Sequence, residues 1–224
     1  MAETTLFDGD QYKTLRPALP SLEVATDRIL DVHSRATDCQ VEEGMQWYDS
    51  ANELATEMQA TYPNRLRSVA HAAGLLAALS PNEGWENNVS NAWMFLEHDT
   101  SKSLPRSIVD ARLICAGFEP EHVLFGEGVN YKVQSFYHNI ADPSDQGPVT
   151  IDRHAKGIIY DNPLVVKVKP HATRKDYDHY SEAYRQAAQE VNVSPSQMQA
   201  MTWLVWRNVS KKSVYGSEQI AWAT

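Results

Sequence analysis

Apolar residues recur at helical spacing along most of the chain. Leu22, Val24, Ile29, Leu30 and Val32 mark a first helix over Ser21 to His33. Val41, Met45, Trp47, Leu54 and Met58 mark a longer one over Asp38 to Tyr62, closed by Pro63-Asn64. The stretch Asn64 to Leu79 is the most apolar. Val69, Leu75, Leu76 and Leu79 supply its bulk, and its alanines with Gly74 permit close approach, so it reads as the central buried helix. Four shorter helical patterns follow: Trp85 to Glu97, Ser107 to Gly117, Glu119 to Phe125 and Tyr131 to Ile140. Gly117 serves as a C-terminal stop. A turn-rich loop then leads into a short extended piece, Val149-Thr150-Ile151, and a helix from Asp152 to Tyr160. Residues 161–174 read as irregular or partly extended. Two helices close the chain, Asp176 to Val191 and Pro195 to Val209. The last one has Ser194 as cap, Pro195 in its first position and Gln197 three residues after the cap.

The pattern predicts an all-α fold of nine or ten helices, with residues 1–20 as an irregular arm and residues 21–224 as the helical domain. A chain of 224 residues can bury one large core or two small ones. Its 42% hydrophobic content, with 6 Trp, 10 Tyr and 5 Phe, excludes a disordered tail protein. No run of 18 apolar residues occurs, so no membrane span is expected. Residues 1–10 lack the basic start and apolar stretch of a signal peptide, and a cytoplasmic location is expected. Cys39 and Cys115 are too few and too far apart for a disulfide framework, a zinc site or an iron–sulfur cluster, and read as small buried hydrophobes. The eight histidines show no metal-binding spacing, and no cofactor or metal is expected.

The net charge of −9 argues at first against nucleic acid. The charge is unevenly spread, however. Residues 1–62 hold 12 acidic and 4 basic side chains, whereas residues 150–224 hold 7 acidic and 10 basic.

Candidate chemistry is concentrated in three short segments. Leu79-Ser80-Pro81-Asn82 ends the apolar helix; Gly128-Val129-Asn130-Tyr131-Lys132 opens a later one; Val149-Thr150-Ile151-Asp152-Arg153-His154 follows, with Asp152 20 residues after Lys132. A lysine is a nucleophile only when neutral, so its pKa must fall from about 10.4. Burial and the positive end of a helix both lower it. Lys132 falls in a first helical turn, and Asp152 is placed to cap the next helix. Taken singly, each residue has a plainer explanation: a solvated lysine, an ordinary N-cap, a packing histidine at 154 and a turn asparagine at 82. Order and spacing together set the group apart.

In that order and spacing the chain resembles the helix-hairpin-helix DNA glycosylase superfamily, which includes endonuclease III and the 8-oxoguanine glycosylases. Its members carry a turn of the form L-S-x-Q/N, a hairpin G-V-G-x-K and then V-x-V-D-x-H. The resemblance covers about residues 65–160. It implies a two-lobed HhH-GPD fold in which the N-terminal helices and residues 161–224 pack together as the second lobe. It also implies a DNA glycosylase with lyase activity that works through a lysine Schiff base. Lys132 would be the nucleophile and Asp152 its electrostatic partner. Asn82 would fill the gap left by a flipped base, and the Gly128 to Asn130 turn would aim N–H groups at a phosphate, with His154 at the family's histidine. Gln197, Gln199 and Trp203 on the last helix would line a base pocket. Arg65, Arg67 and the stretch Lys167, Lys169, His171, Arg174, Lys175 are either solvated or in contact with phosphate.

Two features depart from the pattern. Asn130 stands where the second hairpin glycine belongs, a position that Asn tolerates at positive φ, and Glu127 is unfavourable beside a phosphate. With its compact form and variant hairpin the chain resembles a divergent, phage-type member of that superfamily. The expected partner is duplex DNA with a damaged or modified base, bound by a monomer. Two rivals stand beside this expectation. One is a transferase on the same fold that attaches an amine or amino acid to an activated pyrimidine in hypermodified DNA. The other is a non-enzymatic acidic protein that mimics DNA or binds a protein partner.

Overall fold

A computed structural model describes residues 18–125, 130–162 and 173–215, with side chains of the last helix as far as residue 207. Ten helices and no strand occur among the described residues: α1 Leu22–His33, α2 Asp38–Thr61, α3 Val69–Leu79, α4 Trp85–His98, α5 Pro105–Cys115, α6 Pro120–Leu124, α7 Tyr131–Ala141, α8 Arg153–Tyr160, α9 Arg174–Glu190 and α10 Pro195–Tyr215. The fold is all-α, as the apolar spacing predicts.

Caps set most of these boundaries. Thr37 with Gln40, and Thr173 with Asp176, form reciprocal capping boxes, and Ser194 with Gln197 does the same at α10. Three helix starts differ from the sequence expectation for this reason. Helix α3 begins at Val69, not Asn64, because Ser68 caps it and the preceding residues turn onto the Tyr62 carbonyl. Helix α5 begins at Pro105, the residue best suited to a first turn. Helix α9 begins at Arg174 because Asp176 is the third helical residue of a box rather than the start. At the other end, α10 runs past Val209 to Tyr215. Gly117 stops α5 as expected. It lies at φ +92, its N–H donates to the Ile114 carbonyl, and the Phe118 N–H reaches Leu113.

Buried side chains form two clusters. The first joins α2 and α3 to α4–α7 through Leu66, Leu75, Leu76, Leu79, Phe95, Ile114 and Ile140. Helix α3 is buried from His71 to its end, and at Gly74 an added Cβ would come within 2.7 Å of Pro120, so the small residue is what lets α6 seat there. The second cluster joins α1, α8, α9 and α10 with Val149 and Ile151, around Ile29, Tyr180, Tyr184 and Met198. Helix α10 serves both: Ala200 belongs to the first cluster, Met198 and Trp206 to the second. Each large aliphatic side chain in these clusters contributes about 1.5–3 kcal/mol by leaving water.

The segment between α7 and α8 is pinned rather than paired in a sheet. The Tyr177 hydroxyl donates to the Val149 carbonyl at 2.8 Å and accepts from the Ile151 N–H at 3.1 Å. Alternation then buries Val149 and Ile151 in the second cluster, while Thr150 meets Asn139 of α7 at 3.0 Å. The cysteines correct the sequence expectation. Cys39 is exposed in the first turn of α2, and Cys115 is half-buried with its thiol pushed up to about 11 by burial.

Candidate active-site cleft

A cleft of about 780 Å³ opens where the two clusters meet. It is lined from the first by α2, α4, α7 and the turn after α3, and from the second by Ile151, Asp152 and α8. Seven of the residues singled out in the sequence line this one cleft: Asn82, Asn130, Lys132, Asp152, His154, Gln199 and Trp203. Gly128 lies outside the described residues, as do Lys167, Lys169 and His171.

Lys132 is the second residue of α7 and is drawn inward, not out into solvent. Its Nζ donates to Ser80 Oγ at 3.0 Å and lies 4.9 Å from the centre of the Phe136 ring. Ser80 is buried, and its own hydroxyl donates to the Ala77 carbonyl at 2.9 Å. The serine therefore meets the amine as an acceptor. A neutral amine held this way spends one N–H on Ser80 and keeps its lone pair for an electrophile. Burial pushes the Lys132 pKa down, and the Asp152 charge partly opposes that shift.

Asp152 caps α8. Its Oδ1 accepts from the N–H groups of His154 and Ala155, both at 2.8 Å. Oδ2 takes no hydrogen bond from any described residue, and Asp152 lines the cleft. One oxygen thus fixes the side chain and the other is left for chemistry. Asn82, in the turn after α3, is exposed at φ 65, a left-handed conformation that asparagine tolerates. Asn130 departs from expectation: it has φ −90 and ψ 85, so it feeds α7 as an extended N-cap and needs none of the tolerance for positive φ.

The far wall is aromatic. Trp47 of α2 packs 5.7 Å from Trp85 and 5.0 Å from Trp203, and Phe136 meets Trp85 and Tyr48 edge-on at 6.3 Å each. Trp203 also carries the Arg207 guanidinium 4.7 Å from its centre and the His154 ring edge at 6.3 Å. The buried Gln199 accepts from the Tyr48 hydroxyl at 3.0 Å. Burial pushes that phenol up to about 12, so it remains a donor at neutral pH. Of the charged side chains on the lining, Lys132, Arg153 and Lys156 face Glu83 and Asp152. With Lys132 neutral, Arg153 and Lys156 balance Glu83 and Asp152, so the lining carries no net charge in a chain whose net charge is −9.

Several sequence candidates turn out to hold the fold. Arg65 donates to the carbonyls of Phe95 and Leu96 at 2.9 and 2.7 Å and to Asp99 at 2.7 Å, which ties down the end of α4. Gln197 is used by the α10 cap and by the Met45 carbonyl, 3.1 Å away. Arg67 is exposed, with its guanidinium lying across Gly117. Conversely, the sequence reading gave no role to Tyr48, Trp85 or Lys156. The one local signal was Lys156, a cation interrupting the otherwise apolar inner face of α8 formed by Ala155, Ile158 and Ile159.

The chain belongs to a family of unknown function, DUF7178, whose sequence profile matches residues 14–210. No curated protein and no solved structure matches it.

Proposed function

We propose that this member of the DUF7178 family is a DNA glycosylase with lyase activity, built on the two-lobed helix-hairpin-helix architecture. The observation that carries the proposal is the meeting of Lys132 and Asp152, from two different cores, in one aromatic-walled cleft where burial favours a neutral amine. A nucleotide rotated out of the duplex would place its base against the Trp47, Trp85 and Trp203 wall, which suits the flat face of any base. Exposed Asn82 at the rim would fill the vacated stack.

The chemistry runs through these groups. The C1′–N bond breaks with its electron pair going to the base, and the Asp152 carboxylate stabilises the oxocarbenium-like sugar. The Lys132 lone pair attacks C1′, and the ammonium proton formed passes to the Asp152 carboxylate. Opening of the sugar ring then gives the imine. The Arg207 guanidinium beside Trp203 and Arg153 on the lining support a polyanionic substrate despite the net acidity.

Borohydride trapping tests the proposal. The protein is mixed with duplexes carrying uracil, 8-oxoguanine, hydroxymethyl pyrimidines or an abasic site. A covalent band is expected with at least the abasic duplex, and Lys132→Ala should abolish it. No band on any duplex would overturn the Schiff-base reaction. The cleft volume of about 780 Å³ favours one second reading, because sites of that size hold ligands larger than a bare base. That reading is a base-modifying transferase, which would leave the sugar intact and add mass to a substituted pyrimidine.

A further inference from the structure

A chain of buried polar side chains ends on the cleft at Gln199. Asn139 Nδ2 of α7 donates to Thr150 Oγ1 at 3.0 Å, and the Tyr48 hydroxyl of α2 donates to Gln199 Oε1 at 3.0 Å. Thr150 joins the two halves. Its oxygen already accepts from Asn139, which leaves its proton for another acceptor. Burial pushes the Tyr48 phenol up, while Thr150 and Asn139 pull the other way, as donors to its oxygen do. A phenol that accepts on one side has its single proton for the other. That fixes the sense of the Gln199 amide: the carbonyl oxygen faces Tyr48, and Nε2 lies on the opposite side. No described residue accepts from Nε2. Nor is this nitrogen sealed in the core, where the unpartnered side-chain atoms are those of His71, Asn88, Asn139 and Trp206. Gln199 is 5% exposed and lines the cleft, so the cleft is the space its nitrogen opens onto. The reacting groups are close by. The Asp152 charge acts on the Tyr48 phenol, and Tyr48 meets the same Phe136 ring that carries Lys132 Nζ.

We propose that Gln199 selects the base, offering its N–H donors to a ring carbonyl and turning away an exocyclic amine. The proposal rests on the reading that a flipped nucleotide enters the cleft, and it names the class of base. That class carries a keto oxygen, as at O4 of uracil or O6 of hypoxanthine, where cytosine and adenine carry amino groups. Against a carbonyl, a Gln199 N–H finds an acceptor. Against an amino group, donor faces donor, and both groups leave water without a partner. A site built to hydrogen-bond one group rejects its mismatched analogue in this way. A structural partner for Tyr48 needs only the acceptor, Oε1, and leaves the second polar atom of a buried side chain without a task. Tyr48 is a positioning residue. It holds the amide against the flip that would exchange nitrogen for oxygen, and an unheld amide could offer either. The sugar takes no part in this selection.

Fluorescence anisotropy tests the assignment. Duplexes hold uracil or cytosine, and hypoxanthine or adenine, each pair set opposite the same mismatched base. The test nucleotide carries a 2′-fluoro sugar, which resists loss of the base. The parent, Gln199→Met and Tyr48→Phe are compared, and thermal melting confirms which variants are folded. The readout is the ratio of two affinities within one protein, so a partly unfolded sample does not move it. The parent should bind the keto member of at least one pair about ten- to 100-fold more tightly. Gln199→Met, of similar size but without donors, should bring that ratio to within about threefold of one. Tyr48→Phe keeps Gln199 but frees its amide, and should cut the ratio by about fivefold or more. Equal binding of keto and amino bases by the parent would overturn the assignment, as would an undiminished preference in folded Gln199→Met. An undiminished preference in folded Tyr48→Phe would overturn the positioning role. Failure of the parent to bind any duplex, an abasic one included, would instead remove the flipped-nucleotide reading and the assignment with it.

Discussion

Asp152 has two oxygens with separate tasks, and two substitutions separate them. Oδ1 satisfies two N–H groups at the start of α8, and Oδ2 is left to the cleft. Asp152→Asn keeps an oxygen for the cap, because asparagine caps helices as well as aspartate does. Asp152→Ala orphans both N–H groups, at a cost of about 0.5–2 kcal/mol. In a chain of this length that cost lowers Tm by about 2–4 °C for each kcal/mol. Melting should therefore separate the two variants, with Asn near the parent and Ala below it. Activity should not separate them. Both lose the charge that faces an oxocarbenium-like sugar, and removal of one such preorganised group costs about 10²–10³ in rate. The pH profile adds a sign. The Asp152 charge holds the Lys132 pKa up against burial, so its removal lowers that pKa further. The rate rises with pH as Lys132 loses its proton, so the acid limb in Asp152→Asn should move to lower pH while the plateau falls. Single-turnover trapping across pH and differential scanning calorimetry are the assays. A parental rate in Asp152→Asn would mean that the charge is not used in the reaction, and equal melting losses in both variants would mean that Oδ1 is not what holds the cap.

Three further outcomes follow from the same geometry. Ser80→Ala removes the acceptor that orients the Lys132 amine, and trapping should slow about tenfold, in line with the 1–3 kcal/mol cost of a buried donor left unpaired. Lys132→Met should raise Tm at neutral pH, since it deletes a buried amine. The folded-state pKa is depressed, so the unfolded chain binds more protons between that value and about 10.4. Parental stability therefore rises with pH through this window, and the advantage of Lys132→Met should shrink across it. Trp203→Leu keeps an apolar neighbour for Trp47 but removes a flat ring from the wall. Fluorescence anisotropy should show weaker binding to base-containing duplex, by about 1–3 kcal/mol or five- to 150-fold, with abasic duplex little changed.

Much of the fold was readable because it depends on neighbours in sequence. Apolar spacing marked most of the helices among the described residues, and Ser194, Asp152 and Gly117 act where the local rules put them. Lys132 and Asp152 were also readable, since each opens a helix and their order in the chain is fixed. What failed to show was decided by tertiary packing. Nothing near Tyr48 or Trp85 in sequence says that α2 and α4 will form one wall with Trp203 of α10. Arg65 and Gln197 have the donors that a phosphate or base would want, yet backbone carbonyls of α4 and α2 claim them first. Asn130 illustrates the limit of residue-by-residue inference. Its tolerance for positive φ is real, but the chain enters α7 without using it.

The proposed reaction turns on a neutral Lys132 amine that attacks the sugar. Peptide mapping of a borohydride-reduced adduct tests it most directly. The protein is trapped on abasic duplex, digested with protease and nuclease, and sequenced by tandem mass spectrometry. A reduced deoxyribose remnant is expected on Lys132 alone. Attachment to Lys156, to a surface lysine such as Lys175, or to several lysines at once would contradict it.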